Sequence, residues 1–155
     1  WIGYTLSRTE RSINEIDDGA WYPVKHDRTH DVSIVLMYAF NDKLKVSGNW
    51  VYNTGDAVTF PDGKYIIDGV TVPTYTNRNG YRMPDYNRLD LGVTLTNKKR
   101  EKFESCWNFS VYNAYARKNA YSISFRESKN DPSKTEAVQQ TLFRIVPSIT
   151  YNFKF

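Results

Sequence analysis

The sequence predicts an all-β fold of antiparallel strands that run up and down in chain order. Apolar and polar residues alternate with a period of two in six separate runs. These runs reach about ten residues, longer than the usual strand of five or six, and the connections between them are alternately long and short. The six runs cover residues 2–7, 31–40, 44–53, 88–96, 103–112 and 143–155.

The first three runs carry their apolar side chains at even positions. Successive side chains of a strand point to opposite faces of a sheet, so each run builds one apolar face and one polar face. The apolar positions are Ile2, Tyr4 and Leu6 in the first run, Val32, Ile34, Leu36, Tyr38 and Phe40 in the second, and Leu44, Val46, Trp50 and Tyr52 in the third.

The last three runs carry their apolar side chains at odd positions and end in the aromatic stretch "PSITYNFKF". The same alternation again predicts one apolar face in each strand. The apolar positions are Leu89, Leu91, Val93 and Leu95 in the fourth run, Phe103, Trp107, Phe109 and Val111 in the fifth, and Phe143, Ile145, Ile149, Tyr151, Phe153 and Phe155 in the sixth.

The connections between the runs differ greatly in length. Three are long, covering residues 9–29, 56–85 and 117–140, whereas the turns at 41–43 and around 98–101 are short. Asp131 and Pro132 predict a short helical turn through Gln139, because Asp suits an N-cap and Pro the first helical position. Bacterial outer-membrane barrels combine long extracellular loops with short periplasmic turns, and this arrangement would leave the C-terminus in the periplasm.

The polar face of the six runs also favours a transmembrane β-barrel. Ten charged or amide side chains are too many for a small dry core, where each would need a partner, but a wide lumen accommodates them. Rings near the strand ends suit the two interfacial girdles of such a barrel. These rings are Phe40, Trp50, Tyr52, Phe103, Tyr151, Phe153 and Phe155. A soluble antiparallel β-sandwich stays open as an alternative, because a half-buried sheet alternates as well.

Composition and motifs exclude several other classes. The net charge of +4 is spread along the chain without a polybasic arm, which argues against a nucleic-acid partner. The single cysteine, Cys106, excludes an intramolecular disulfide and a cysteine-based zinc site. We find no nucleophile elbow, zinc-protease helix or phosphate-binding loop, so we expect neither an enzyme nor a cofactor.

Five stretches in this order resemble the C-terminal end of a TonB-dependent receptor of the Bacteroidota type. They are "WIGYTLSRTER", "WYPVKHDRTHDVSIV", "SGNWVYNTGDAVTFP", "YRMPDYNRLDLGVT" and "LFRIVPSITYNFKF". The resemblance extends over nearly all 155 residues.

The resemblance implies that residues 1–155 are the last six strands of an outer-membrane barrel of roughly 22 strands with a plugged lumen. The N-terminal plug, the remaining strands and the box that binds TonB would then lie outside these residues. The terminal strand, with Ile149, Tyr151, Phe153 and Phe155, would be the signal for the barrel-assembly machinery and would pair with the first strand of the barrel. We therefore expect that these residues do not fold autonomously.

Two sets of candidate site residues follow from this interpretation. Lumen-facing side chains could line a substrate path or contact the plug, or could form a structural ladder of ion pairs between strands: Arg88, Asp90, Glu104, Asn108 and Arg144. Aromatic side chains of the long loops could stack on a ligand at the extracellular mouth, or pack on each other: Trp21, Tyr22, Tyr65, Tyr75 and Tyr81.

The stretch "HDRTHD" could in principle bind a divalent metal through His26, Asp27, His30 and Asp31. A polar loop that leads into a strand is the simpler interpretation, and we predict no metal site.

The sequence therefore predicts an outer-membrane, TonB-dependent importer of a nutrient that it does not identify. Its partners would be membrane lipid, its own plug and other strands, TonB, the assembly machinery and possibly a surface lipoprotein. The alternatives are a soluble β-sandwich that binds a carbohydrate or acts as an adhesin, and an outer-membrane channel without a plug.

Overall fold

A computed structural model describes residues 1–75, 77–97, 103–131 and 134–155. These residues form fourteen β-strands and a short 3-10 turn at Asp17–Gly19. The strands are β1 (Ile2–Leu6), β2 (Glu10–Arg11), β3 (Tyr22–Pro23), β4 (His30–Ala39), β5 (Leu44–Asn53), β6 (Ala57–Val58), β7 (Gly63–Ile67), β8 (Val70–Thr74), β9 (Tyr81–Arg82), β10 (Tyr86–Thr96), β11 (Glu104–Tyr112), β12 (Ser122–Glu127), β13 (Thr135–Gln140) and β14 (Val146–Lys154).

Six of these strands form one large antiparallel sheet in the order β1-β4-β5-β10-β11-β14. They correspond one by one to the six alternating runs, so the predicted all-β fold and its strands are confirmed. Each strand lies beside the preceding sheet strand of the chain, as an up-and-down sheet requires. The bounds differ most in β14, which begins at Val146 rather than at residue 143.

The register between β10, β11 and β14 aligns apolar residues across the strands. Val93 lies opposite Phe109, which lies opposite Ile149, so one apolar row crosses all three strands. The alternate row joins Gly92, Ser110 and Ser148. A slip of one residue would exchange the two faces, so the alternating pattern fixes this register.

The long connections contain short hairpins of their own. Residues Gly63–Ile67 pair with Val70–Thr74, and Ser122–Glu127 pair with Thr135–Gln140. The helical turn predicted as far as Gln139 is wrong from Thr135 onward, because that segment pairs as a strand with β12 and carries the β-branched Thr135 and Val138. Pro132 and the basic turn at 98–101 lie outside the described residues.

The chain divides into two compact units. The sheet unit comprises Trp1–Tyr4, Val32–Tyr52 and Tyr86–Phe155, and the loop unit comprises Thr5–Asp31 and Asn53–Asp85. Among the described residues the buried hydrophobic side chains are Tyr22 and Ala57, both in the loop unit. The large apolar residues of the sheet unit, in contrast, are extensively exposed in this chain.

Among the described residues we find no helix with the length and apolar character needed to cross a membrane.

Candidate functional site

The polar face of the sheet carries a network of side chains centred on Arg88. The guanidinium forms an ion pair with Asp90 at 2.9 Å and donates hydrogen bonds to the hydroxyls of Tyr86 and Tyr112 at 2.9 and 3.1 Å. It also lies 4.4 Å from the centroid of the Tyr112 ring, a distance typical of a cation–π contact. The network joins β10 to β11, so Arg88 and Asp90 form the cross-strand ion-pair arrangement that was the structural alternative.

The second oxygen of Asp90 extends this network to the end of β11. Asp90 Oδ1 accepts a hydrogen bond from the backbone N–H of Asn113 at 3.0 Å. Asn113 is almost fully buried and has a positive φ of 53°, in the left-handed region that Asn tolerates better than most residues. Its side-chain amide in turn bonds the backbone of Arg117 at both atoms, which fixes the first residues after the strand.

The other three lumen candidates do not join the Arg88 network. Asn108 lies between Thr94 and Thr150 on the polar face, and its amide nitrogen is 3.4 Å from the Thr94 hydroxyl. Glu104 lies opposite Lys154 in the pairing of β11 with β14. Arg144 is exposed and precedes β14, so strand alternation does not assign it to a face.

A groove that the sequence did not predict lies beside the Arg88 network, where β10 begins and β11 ends. Tyr86 and Tyr112 come from those strand ends, and the other lining residues come from the segments before β12 and β14. Only the strand register brings Tyr86 and Tyr112 together, and only the return of the chain adds the other two segments. The principal lining residues are Tyr86, Tyr112, Asn119, Tyr121, Leu142 and Phe143.

Four of the five loop aromatics named from the sequence are exposed. Trp21, Tyr65, Tyr75 and Tyr81 all present a large part of their surface to solvent. Tyr22 is the exception, because its ring is only 6% exposed and the guanidinium of Arg78 lies 5.6 Å from the ring centroid. Tyr22 therefore belongs to the core of the loop unit, and its assignment as a ligand contact is not compatible with this burial.

The stretch "HDRTHD" forms a clasp in the loop unit and not a metal site. Asp27, 2% exposed, forms an ion pair with Arg82 and accepts the backbone N–H of Thr9 at 2.6 Å. Arg82 also donates to the backbone oxygens of Asp27 and Gly55. Within the described part of the chain no cluster of three or more His, Cys, Asp or Glu residues is arranged to hold a metal ion.

Two further contacts complete the clasp between the two segments of the loop unit. Arg28 bonds Asp56 at 2.8 Å, and the backbone N–H of Gly55 donates to Asp85 at 3.2 Å. A Cβ at residue 55 would overlap the carbonyl oxygen of Met83, so only glycine fits there. Burial alone would raise the pKa of Asp27, but the hydrogen bonds from Arg82 and Thr9 and the positive charge of Arg82 outweigh it and lower the pKa below its ordinary value.

The rings of the terminal strand form a ladder with those of β11. The ring centroids of Trp107 and Tyr151 are 4.7 Å apart, and those of Tyr151 and Phe153 are 5.9 Å apart. Phe155 continues the ladder at 5.8 Å from Phe153. All four rings remain substantially exposed, so the ladder is a surface of this chain and not a core.

These arrangements are suited to binding and structural support. The charged side chains of the Arg88 network and of the clasp are held in ion pairs, and each carboxylate involved accepts further hydrogen bonds from the backbone or an arginine. The groove and the exposed apolar face of the sheet are the surfaces that remain for a ligand or partner. Comparison of the chain with protein-family models, curated proteins and solved structures found no match in any of the three.

Proposed function

We propose that this chain forms part of the barrel wall and the outer loops of a TonB-dependent receptor that imports a nutrient across the bacterial outer membrane. The proposal takes its family from the five sequence stretches that resemble such receptors. Its physical support comes from the large antiparallel sheet, which has the length, order and alternation of transmembrane barrel strands.

The exposed apolar face of the sheet is the observation that carries the proposal. Leu36 is 65% exposed, Ile149 is 66% exposed and Phe153 is 58% exposed, although each lies in a regular strand. Monomeric soluble proteins rarely expose contiguous apolar patches larger than a few hundred Å². A bilayer would cover this face, and the aromatic ladder at the strand ends would lie in an interfacial girdle.

The opposite face and the sheet edges support the same proposal. The rows that contain Ser110, Ser148 and Asn108 are polar, as expected of a lumen that is wet or filled by a plug. Strands β1 and β14 form the edges of the sheet and pair on one side only among the described residues. In lipid those edges require partner strands, since unsatisfied backbone groups cost several kcal/mol each, so further strands would close the barrel.

The importer is distinguished from a plug-free channel by its partner. Full-length protein purified in detergent would be tested for binding to the periplasmic C-terminal domain of TonB by isothermal titration calorimetry, with a variant deleted for the TonB box as the control. We expect saturable binding that the deletion abolishes. A folded outer-membrane protein that does not bind TonB would instead be a channel or adhesin.

A further inference from the structure

The groove beside the Arg88 network has a rigid floor. Tyr86 and Tyr112 both accept hydrogen bonds from Arg88, which is itself held by Asp90 at 2.9 Å. Asn119 is fixed as well, because its amide nitrogen donates to the backbone oxygen of Asn87 at 2.8 Å and its oxygen accepts the N–H of Asn87 at 3.1 Å. A ligand would therefore find these three side chains already in position, which lowers the entropic cost of binding.

The rim of the groove is apolar and uncovered. Tyr121, Leu142 and Phe143 are 66%, 61% and 63% exposed, and all three line the same groove. Ligand sites combine such apolar and aromatic walls with a few fixed polar groups. The hydroxyls of three tyrosines and the amide of Asn119 supply those polar groups here.

The charge of the lining restricts the ligand class. No carboxylate, ammonium or guanidinium group belongs to the lining, and the adjacent Arg88 is neutralised by Asp90. An anionic or cationic ligand would lose hydration without gaining an ion pair. A purely apolar ligand would leave the hydroxyl and amide groups unpaired. An uncharged ligand with a flat apolar ring face and hydroxyl groups at its edge satisfies both conditions.

We propose that this groove binds an uncharged oligosaccharide. The C–H face of a pyranose ring would stack on Tyr121 and Phe143, and its hydroxyls would pair with the phenol groups and with Asn119. The binding site stands on the groove itself. Its role in import, as the site that selects the transported nutrient, rests on the proposed function.

The test uses full-length protein in detergent and isothermal titration calorimetry with maltohexaose, cellohexaose, xylohexaose and mannohexaose. Hexagalacturonate serves as the charged comparison and indole as the apolar one. Tyr121→Ala and Phe143→Ala remove rim side chains that are mostly exposed, and Tyr115→Ala is the matched control, since Tyr115 is 54% exposed on the same connection but does not line the groove.

We expect at least one neutral hexasaccharide to bind, and each rim variant to weaken it about tenfold while the control does not. The proposal is overturned if no neutral saccharide binds, if hexagalacturonate or indole binds more tightly, or if the rim variants bind as the wild type does. A protein that binds TonB but no neutral saccharide would retain the importer function and lose this site. Saccharide binding without TonB binding would do the reverse.

Discussion

The sheet unit and the loop unit differ in where they keep their apolar and charged groups. The sheet unit aligns apolar residues in rows across its strands, and those rows stay exposed. The loop unit buries Tyr22, Ala57 and the carboxylate of Asp27, and ion pairs join its two segments. The comparison teaches that the loop unit has its own small core, whereas the sheet requires an apolar environment from outside this chain.

The largest effect is expected from a charge placed on the apolar face of the sheet. Ile149→Arg should lower the free energy of unfolding in lipid vesicles by about 2–4 kcal/mol, the cost of an arginine near the bilayer midplane. Ser148→Arg, one residue away on the polar face, is the control and should cost much less. Equal costs measured by guanidinium titration of the full-length protein would contradict the difference between the two faces.

The next effect concerns the clasp of the loop unit. Asp27→Asn removes the buried charge that holds Arg82 and should destabilise the loop unit by about 2–3 kcal/mol, the range for hydrogen bonds to charged groups. Hydrogen exchange should increase in residues 5–31 and 53–85 and stay unchanged in β10, β11 and β14. Glu10→Gln removes an exposed ion pair with Arg8 and is the control with little expected effect. Uniform acceleration throughout the chain would show that the two units do not differ in this way.

Gly55→Ala tests the close backbone approach within the same clasp. A methyl group there would overlap the Met83 carbonyl, so the backbone must shift, at a cost of about 1–3 kcal/mol. Gly48→Ala is the matched control in the sheet, where the nearest atom to the new methyl would be a Leu91 carbon at 3.7 Å. Thermal unfolding followed by circular dichroism compares the two variants, and equal midpoints would contradict the packing at Gly55.

The smallest effect is the response of the loop unit to acid. The folded state holds the pKa of Asp27 below its ordinary value, so the clasp contributes stability above the unfolded pKa of about 3.9 and loses it as the pH falls through the folded value. Hydrogen exchange measured at intervals from pH 7 to pH 3, corrected for intrinsic rates, should show residues 5–31 losing protection at the acid end. Asp27→Asn should remove this pH dependence, and its persistence in that variant would assign it to another group.

The sequence predicted the sheet well, because strand alternation reports directly which face each side chain takes. Leu91, Phe109 and Ile149 all lie where the period-2 pattern assigns them. The clasp was not predictable, since Asp27 and Arg82 are 55 residues apart and no periodic pattern links them. Tyr22 was assigned to solvent for the same reason, and the groove depends on a meeting of strand ends and loop segments that no local signal reports.

The most direct test of the membrane-facing sheet is the accessibility of spin labels on the full-length protein in lipid nanodiscs. Single labels at Ile34, Phe109 and Ile149 would be compared with labels at their neighbours Ser33, Ser110 and Ser148, with Cys106 replaced by serine in every variant. We predict that the first set relaxes with lipid-soluble oxygen and not with a water-soluble nickel chelate, and that the second set shows no such preference for oxygen. If the first set is protected from both relaxants, the apolar face packs against protein, and the transmembrane account is wrong.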